Sequence, residues 1–424
     1  PEGVTALAAR AFEGCSTLTK ISFPKTLKSI GEWCFASCNN LTEVVDNSEV
    51  SSLPYACFIL CTKLSIIDLS NYQSLGTSAF AHCPFSELDL TNCTSIGSYC
   101  FQACKSLKNV SFRKDGFSIG SWAFENCQNL ISVDLSGCTT TKLPDYVFRG
   151  CYSLNSITFQ TNVTSFGTQA FYNCSSLTSL TIPSSVTSLG VSCFEGCTGL
   201  TSVTFATFTS GENVGKYGIR TIETLCFKNC ESLVGNDIVG KDSNNQDIIG
   251  LKLPDSVSSV GMYCFENCSS LKHIRLSKGN SCVEVECFKN CSSLQKIDIP
   301  SNITAIRTGA FLGCKSLLYV TGCENVTTFR KNCDGSSIFE GCSSLIEVEG
   351  LSQITEIGQK CFAGCKSLTS LGDLNWESLS FIDDFAFQNC SLLNVPIENN
   401  VRTVHLKSNC DLGVTPFIDA DITD

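Results

Sequence analysis

Sixteen copies of one short template, F-x-x-C-x-x-L-x-x-[ILV], run through the chain. The first three are Phe12/Cys15/Leu18/Ile21, Phe35/Cys38/Leu41/Val44 and Phe58/Cys61/Leu64/Ile67. A copy shortened by one residue follows at Phe80/Cys83/Leu88, and the others begin at Phe101, Phe124, Phe148, Phe171, Phe194, Phe227, Phe265, Phe288, Phe311, Phe339, Phe362 and Phe387. The copies at Phe227 and Phe387 depart from the template after the leucine. The commonest step between phenylalanines is 23 residues. A fixed period of this size marks a solenoid, in which each repeat is too small to bury its own apolar face and must stack on its neighbours. Length alone would suggest two or three domains for 424 residues. The repeat overrides that expectation and predicts one continuous solenoid over 1–397, with a tail at 398–424 that loses the template and caps the stack.

The stretch "LTSLTIPSSVTSLGVSCFEGC", Leu177 to Cys197, predicts the course of a repeat. Alternating apolar and hydroxyl residues in L-T-S-L-T-I read as a strand. Pro183 has no N–H to donate and ends the pairing. "VTSLG" reads as a second short extended piece, broken by Gly190, and Pro54 and Pro144 fill that slot elsewhere. A short helical turn is expected next, carrying Phe194 and Cys197 on one face. Sixteen stacked strands would extend over roughly 75 Å at ~4.8 Å per strand. The phenylalanines would form an aromatic spine, each worth roughly 1.5–3 kcal/mol of burial.

The stretch "AFYNCSSLTSLTIPSSVTSLG", Ala170 to Gly190, resembles the BspA-like, treponemal-type leucine-rich repeat family, and the resemblance covers about 390 of the 424 residues. It implies an α/β repeat solenoid: a right-handed curved leucine-rich repeat superhelix with a parallel sheet on one face. It also implies secretion or display on the surface of anaerobic bacteria or mucosal protozoan parasites, and a role in adhesion. The chain departs from the common family pattern at Cys34, Cys57, Cys100, Cys193, Cys226, Cys264, Cys287 and Cys361, where cysteine replaces the usual alanine before the phenylalanine.

Thirty cysteines would ordinarily suggest a disulfide scaffold. Their positions argue otherwise, since sixteen fill the F-x-x-C slot and eight the slot before the phenylalanine. Stacked in columns, their Cβ vectors run parallel instead of converging. They are expected to be free, buried apolar fillers whose S–H groups serve nearby carbonyls. Cys93, Cys138, Cys282, Cys323, Cys333 and Cys410 fall outside the columns, which leaves a pair such as Cys323 with Cys333 open to bonding. No metal site is expected, because a zinc site needs four converging ligands and the chain has three histidines, His82, His273 and His405. So many unpaired thiols favour a reducing or anaerobic setting.

Function classes narrow quickly. A net charge of −11 argues against a nucleic-acid partner. No apolar run is long enough for a membrane span. "GFSIG", Gly116 to Gly120, matches a nucleophile elbow, but Ser118 fills a periodic slot shared with Ser29, Ser95 and Ser188. "KDSNNQD", Lys241 to Asp247, carries oxygen donors without the spacing of a calcium loop and reads as a hairpin tip. Four of the ten N-x-[ST] sequons are the recurrent N-C-S at Asn173, Asn267, Asn290 and Asn389, a by-product of the repeat. The chain therefore reads as non-enzymatic, with no cofactor. It opens in mid-repeat at "PEGVTALAARAF" and reads as a mature or trimmed piece.

Two regions are candidates for binding a partner. One is the outward column of the sheet face, which includes Asp68, Asp89, Asp134, Asp237, Asp298 and Glu349, with a basic break at His273 and Arg275 and with Tyr319 near its end. The other is the break in period, where steps of 33 and 38 residues place insertions at 206–220 and 234–249. These read as two adjacent hairpins, and Lys216, Tyr217, Asp242, Asn244 and Asp247 are their candidate contact residues. The expected function is adhesion, as a monomer, to a protein or glycoprotein ligand of the host or extracellular matrix. The alternative is a spacer that projects another domain.

Overall fold

The template folds as the alternation requires. In Lys20–Phe23, Phe23 is buried while Lys20 and Ser22 face out. The strand pairs in parallel with Glu43–Asp46, Ile21 beside Val44, and Glu43–Asp46 in turn with Ile66–Ile67. A second, narrower ladder is built from the x-[ILV] pairs after each turn, as in Ser52–Leu53, Ser74–Leu75, Ser95–Ile96 and Ser118–Ile119. The computed structural model describes residues 2–329, 337–393, 397–398, 401–402, 411–413 and 415–417. By internal packing the chain forms two compact units, Pro1–Thr178 with Cys193–Thr198, and Ser179–Ser192 with Gly199–Asp424. Each is a parallel β-solenoid, as the repeat predicts.

Phenylalanines stack down the middle of each unit. From Phe12 to Phe194 successive rings lie 5.1–5.9 Å apart and within 20° of parallel. From Phe227 to Phe387 the spacing is 5.4–5.6 Å. The F-x-x-C cysteines line the same seam, and in most repeats the Sγ donates to the carbonyl of the preceding repeat's phenylalanine. Cys61 does so to Phe35 at 3.1 Å, and Cys314 to Phe288 at 3.1 Å. Every described cysteine is free, as the column argument expected; Cys333 and Cys410 lie outside the described residues.

The turn around each F-x-x-C is not helical. Among the described residues the one helical element is a short 3₁₀ turn, Trp376–Ser378. Amides at alternate positions leave the turn to bond the next repeat: Trp33 N to Tyr55 O at 3.0 Å, Phe35 N to Cys57 O at 2.9 Å and Ser37 N to Ile59 O at 2.8 Å. The amides at the intervening positions close tight four-residue turns, Ala36 N to Trp33 O at 3.1 Å and Cys38 N to Phe35 O at 3.3 Å. Such a path needs a left-handed residue every four positions. The residue before the second cysteine supplies one, at Gly150 (φ 72°), Asn173 (φ 59°), Gly196 (φ 75°) and Asn290 (φ 59°). Gly and Asn recur in this slot because they tolerate that backbone best. The recurrent N-C-S sequons follow from the same demand.

Part of the expected cap lies outside the described residues. What is described continues the stack. Asp411–Leu412 pairs in parallel with Phe381–Ile382, and Phe417 stacks on Phe387 at 5.3 Å. "GVTPF", Gly413 to Phe417, thus repeats the G-x-x-x-F of "GQKCF" at Gly358 to Phe362.

Candidate partner-binding site

Both insertions are hairpins. In the first, Thr207 pairs with Tyr217, and Phe208 N donates to Lys216 O at 2.9 Å. In the second, Asp237–Lys241 pairs antiparallel with Asp247–Lys252. The tip of the second is closed by Asp242, whose Oδ1 accepts from Asn244 N and Gln246 N, both at 2.8 Å. Lys241 and Asp247 pair at 2.7 Å. Asp242, Asn244 and Asp247 thus make the hairpin tip that "KDSNNQD" predicted.

This second hairpin shifts the sheet-face column. Asp237 lies in the outgoing strand, opposite Gly250. The residue in register with Arg275 is Lys252. The cause is local: the insertion falls directly after Leu233, so the strand that joins the parallel ladder is the returning one, with Leu251 and Leu253 buried. At this step the column is basic where the sequence suggested an aspartate.

Lys252 and Arg275 are joined by the end of the first insertion. Lys216, Tyr217, Arg220, Lys252, Asp255, Ser256 and Arg275 line one open recess of about 290 Å³. Arg275 Nη2 bonds both carboxylate oxygens of Asp255, at 3.0 and 2.9 Å. Burial would raise the Asp255 pKa, but the Lys278 amide and the Arg275 guanidinium outweigh it, and the carboxyl is held below its usual range. Among the described residues Lys216, Arg220 and Lys252 form no ion pair. Arg220 Nη1 donates only to the carbonyls of Tyr217 and Ile219, at 3.2 and 3.3 Å. His273 lies close by, its backbone carbonyl accepting from Leu251 N at 3.0 Å. Burial, reinforced by Lys272, pushes the His273 pKa down.

The other column residues do different work. Asp68, Asp89 and Asp134 are exposed, but each folds back on the turn behind its strand, accepting from Ser70 N, Thr91 N and Ser136 N at 2.9, 3.0 and 2.9 Å. Asp89 also accepts from Thr91 Oγ1 at 2.6 Å, and the Thr91 hydroxyl and amide together lower its pKa. Asp298 accepts from Thr321 Oγ1 and pairs with Lys296 at 2.9 Å. Tyr319 and Glu349 are exposed neighbours of these rungs. Most of the acidic column therefore ends strands or bridges rungs.

Sequence reasoning missed one cluster. Tyr99, Trp122 and Tyr146 occupy the other left-handed slot of the turn, two residues before the phenylalanine, and stack at 4.8 and 4.6 Å. Beside them Glu125 accepts from Arg149 Nη1 and Gln102 Nε2, both at 2.7 Å, and Arg149 lies over the Tyr172 ring at 5.2 Å. Spacings of 23 and 24 residues were the available signal. The ring faces cover one another, so this ladder offers no flat platform to a ligand.

Features that resembled chemistry are absorbed by the fold. Ser118 lies in the strand Ser118–Ile119, its Oγ donating to Thr94 O at 3.4 Å. His82 fills the left-handed slot before Cys83, at φ 67°, and His405 lies outside the described residues. Among the described residues no three His, Cys, Asp or Glu side chains gather as metal ligands, and no helix is long and apolar enough to cross a membrane. Burial raises most of the described thiols away from a reactive range, with Cys61, Cys104 and Cys197 pushed up to about 12.

Stacked parallel strands and a leucine at every turn define a leucine-rich repeat solenoid. The BspA type leucine-rich repeat region, a family model of six copies, matches residues 1–94, 73–201, 239–333 and 334–410, and the chain belongs to that family. A leucine-rich repeat protein of Bacteroides ovatus is similar in structure, with 26% identity over 87% of both chains and a TM-score of 0.67. A leucine-rich cell surface protein of Faecalibacterium prausnitzii shares 25% identity over 82% of this chain and 83% of its own, at a TM-score of 0.41. A leucine-rich repeat protein of T. pallidum shares 26% identity over 49% of this chain and 72% of its own, at 0.31. A search of curated proteins finds no match.

Proposed function

We propose that this chain is a non-enzymatic adhesion module, secreted or displayed at a cell surface, that binds a host or extracellular-matrix protein. It acts as a monomer and holds its partner at the two inserted hairpins and the strands beside them. One observation carries this reading. The period is broken twice in succession, and both breaks deliver polar side chains, Lys216 and Tyr217 from one and Lys252 from the other, to a single recess. Solenoid insertions commonly lie on the binding face, and membership of the BspA-type family fits a protein-binding role.

The test is binding of the purified chain to immobilised extracellular-matrix and plasma glycoproteins, repeated with 206–220 and 234–249 shortened to the regular period. Saturable binding that disappears on shortening supports the reading. Binding that survives would move the contact to the regular sheet face. Absence of binding across the panel would favour a spacer that projects another domain.

A further inference from the structure

We infer that the recess between Lys216 and Arg275 is an anion site that receives a short acidic segment of a protein partner. The inference rests on the protein-binding reading above and adds its chemistry. Four cations, Lys216, Arg220, Lys252 and Arg275, line the recess against one carboxylate, Asp255. They do so in a chain with 40 acidic and 29 basic side chains. Among the described residues three of the four have no acidic partner. Like charges held together without compensation cost energy, and a bound anion relieves that cost.

The surroundings choose between anions. A long polyanion laid across the strands would meet Asp298 one rung beyond Arg275, and Glu349 two rungs beyond that. At ~4.8 Å per rung Asp298 lies within a Debye length of Arg275, so the favoured anion is compact. Arg275 already holds a carboxylate, that of Asp255, whose two oxygens both accept from Nη2. An incoming glutamate or aspartate meets the same geometry. The same two insertions expose Val214, Ile238 and Ile249 at 60%, 57% and 46%. A peptide with apolar residues beside its acids offers partners to such side chains, which a sulfated sugar does not.

The experiment is fluorescence anisotropy of the full chain with a short labelled peptide of alternating glutamate and leucine, against its lysine counterpart and a sulfated oligosaccharide. Saturable binding of the glutamate peptide alone is expected, weakening as salt rises above physiological strength. The double variant Lys216→Glu/Lys252→Glu should weaken it about tenfold or more. Asp255→Asn, which removes the competing carboxylate, should strengthen it about two- to fivefold. Lys105→Glu, a charge reversal of the same kind in the other unit, should leave it unaltered, and circular dichroism checks that each variant folds. Equal binding of the lysine peptide, or an unchanged affinity in the double variant, overturns the inference. So does preferential capture of the oligosaccharide, which would make the occupant a glycan. If matrix-protein binding persists in the double variant, the anion site fails while the adhesion reading stands; loss of all matrix binding by the unmodified chain fails the reading itself.

Discussion

The phenylalanine–cysteine seam and the Lys216–Arg275 recess are built by opposite means. In the seam the same contacts recur from one period to the next: phenylalanine on phenylalanine, and a cysteine Sγ on the previous phenylalanine's carbonyl. In the recess no residue repeats. Lys216 comes from a hairpin, Lys252 from a strand displaced by a second hairpin, and Arg275 from the next regular rung. Repetition supplies burial, and interruption supplies a surface whose side chains differ from their neighbours. The stability of this protein should therefore respond to the seam and its recognition to the recess, with little crossover.

The largest expected effect is on the seam as a whole. Burial holds Cys61, Cys104 and Cys197 at about 12, and most other described cysteines are raised too. Thiols in the unfolded chain ionise near 8.5. Below that pH the stabilisation is complete. Above it the unfolded chain releases protons that the native state retains, so stability falls as pH rises, by roughly 1 kcal/mol per pH unit for each buried thiol. Denaturation midpoints measured in reductant between pH 7.5 and 10 should drop steeply. A flat profile would mean that the thiols are not buried in the native state.

A single seam residue comes next. Phe311→Ala removes a fully buried ring stacked on two others, and should cost about 3–5 kcal/mol by chemical denaturation. Lys252→Glu in the same assay should shift stability by less than about 0.5 kcal/mol. Comparable losses in the two would erase the distinction between the regions. The smallest effect separates the seam from the turn that carries it. Leu60 occupies the left-handed slot at φ 60°, and Leu60→Gly should raise stability by about 1 kcal/mol, because glycine adopts that backbone without strain. A loss instead would show that the partly exposed leucine side chain outweighs its backbone.

Much of the fold was legible because the period states it. The strand alternation and the free cysteines with their carbonyl partners could be read from "CFEGCTGLTSVTF" and its fifteen relatives, and both hairpins from the breaks in their period. The helical turn was misread because i,i+3 spacing of Phe and Cys suits a helix and a pair of tight turns equally. The recurrence of Gly and Asn before the second cysteine was the clue to the turns. The candidate site was only half legible. Lys216, Tyr217 and Arg275 were picked out, but Lys252 and Arg220 were not, since the hairpin after Leu233 changes which residue enters the ladder. Only pairing could show that Lys252 replaces Asp237 beside Arg275.

The turn ladder also bears on how such a chain can change length over generations. Its bonds join equivalent positions one period apart, as Phe35 N to Cys57 O and Phe288 N to Ala310 O. Excising the 23 residues between one phenylalanine and the next, for example Phe288 to Phe311, brings together ends that already carry matching donors and acceptors. Unequal recombination between repeats would then yield shorter or longer descendants that still fold. Gain and loss of whole rungs becomes a tolerated kind of variation, and it would alter how much chain lies on either side of the recess while sparing the recess itself.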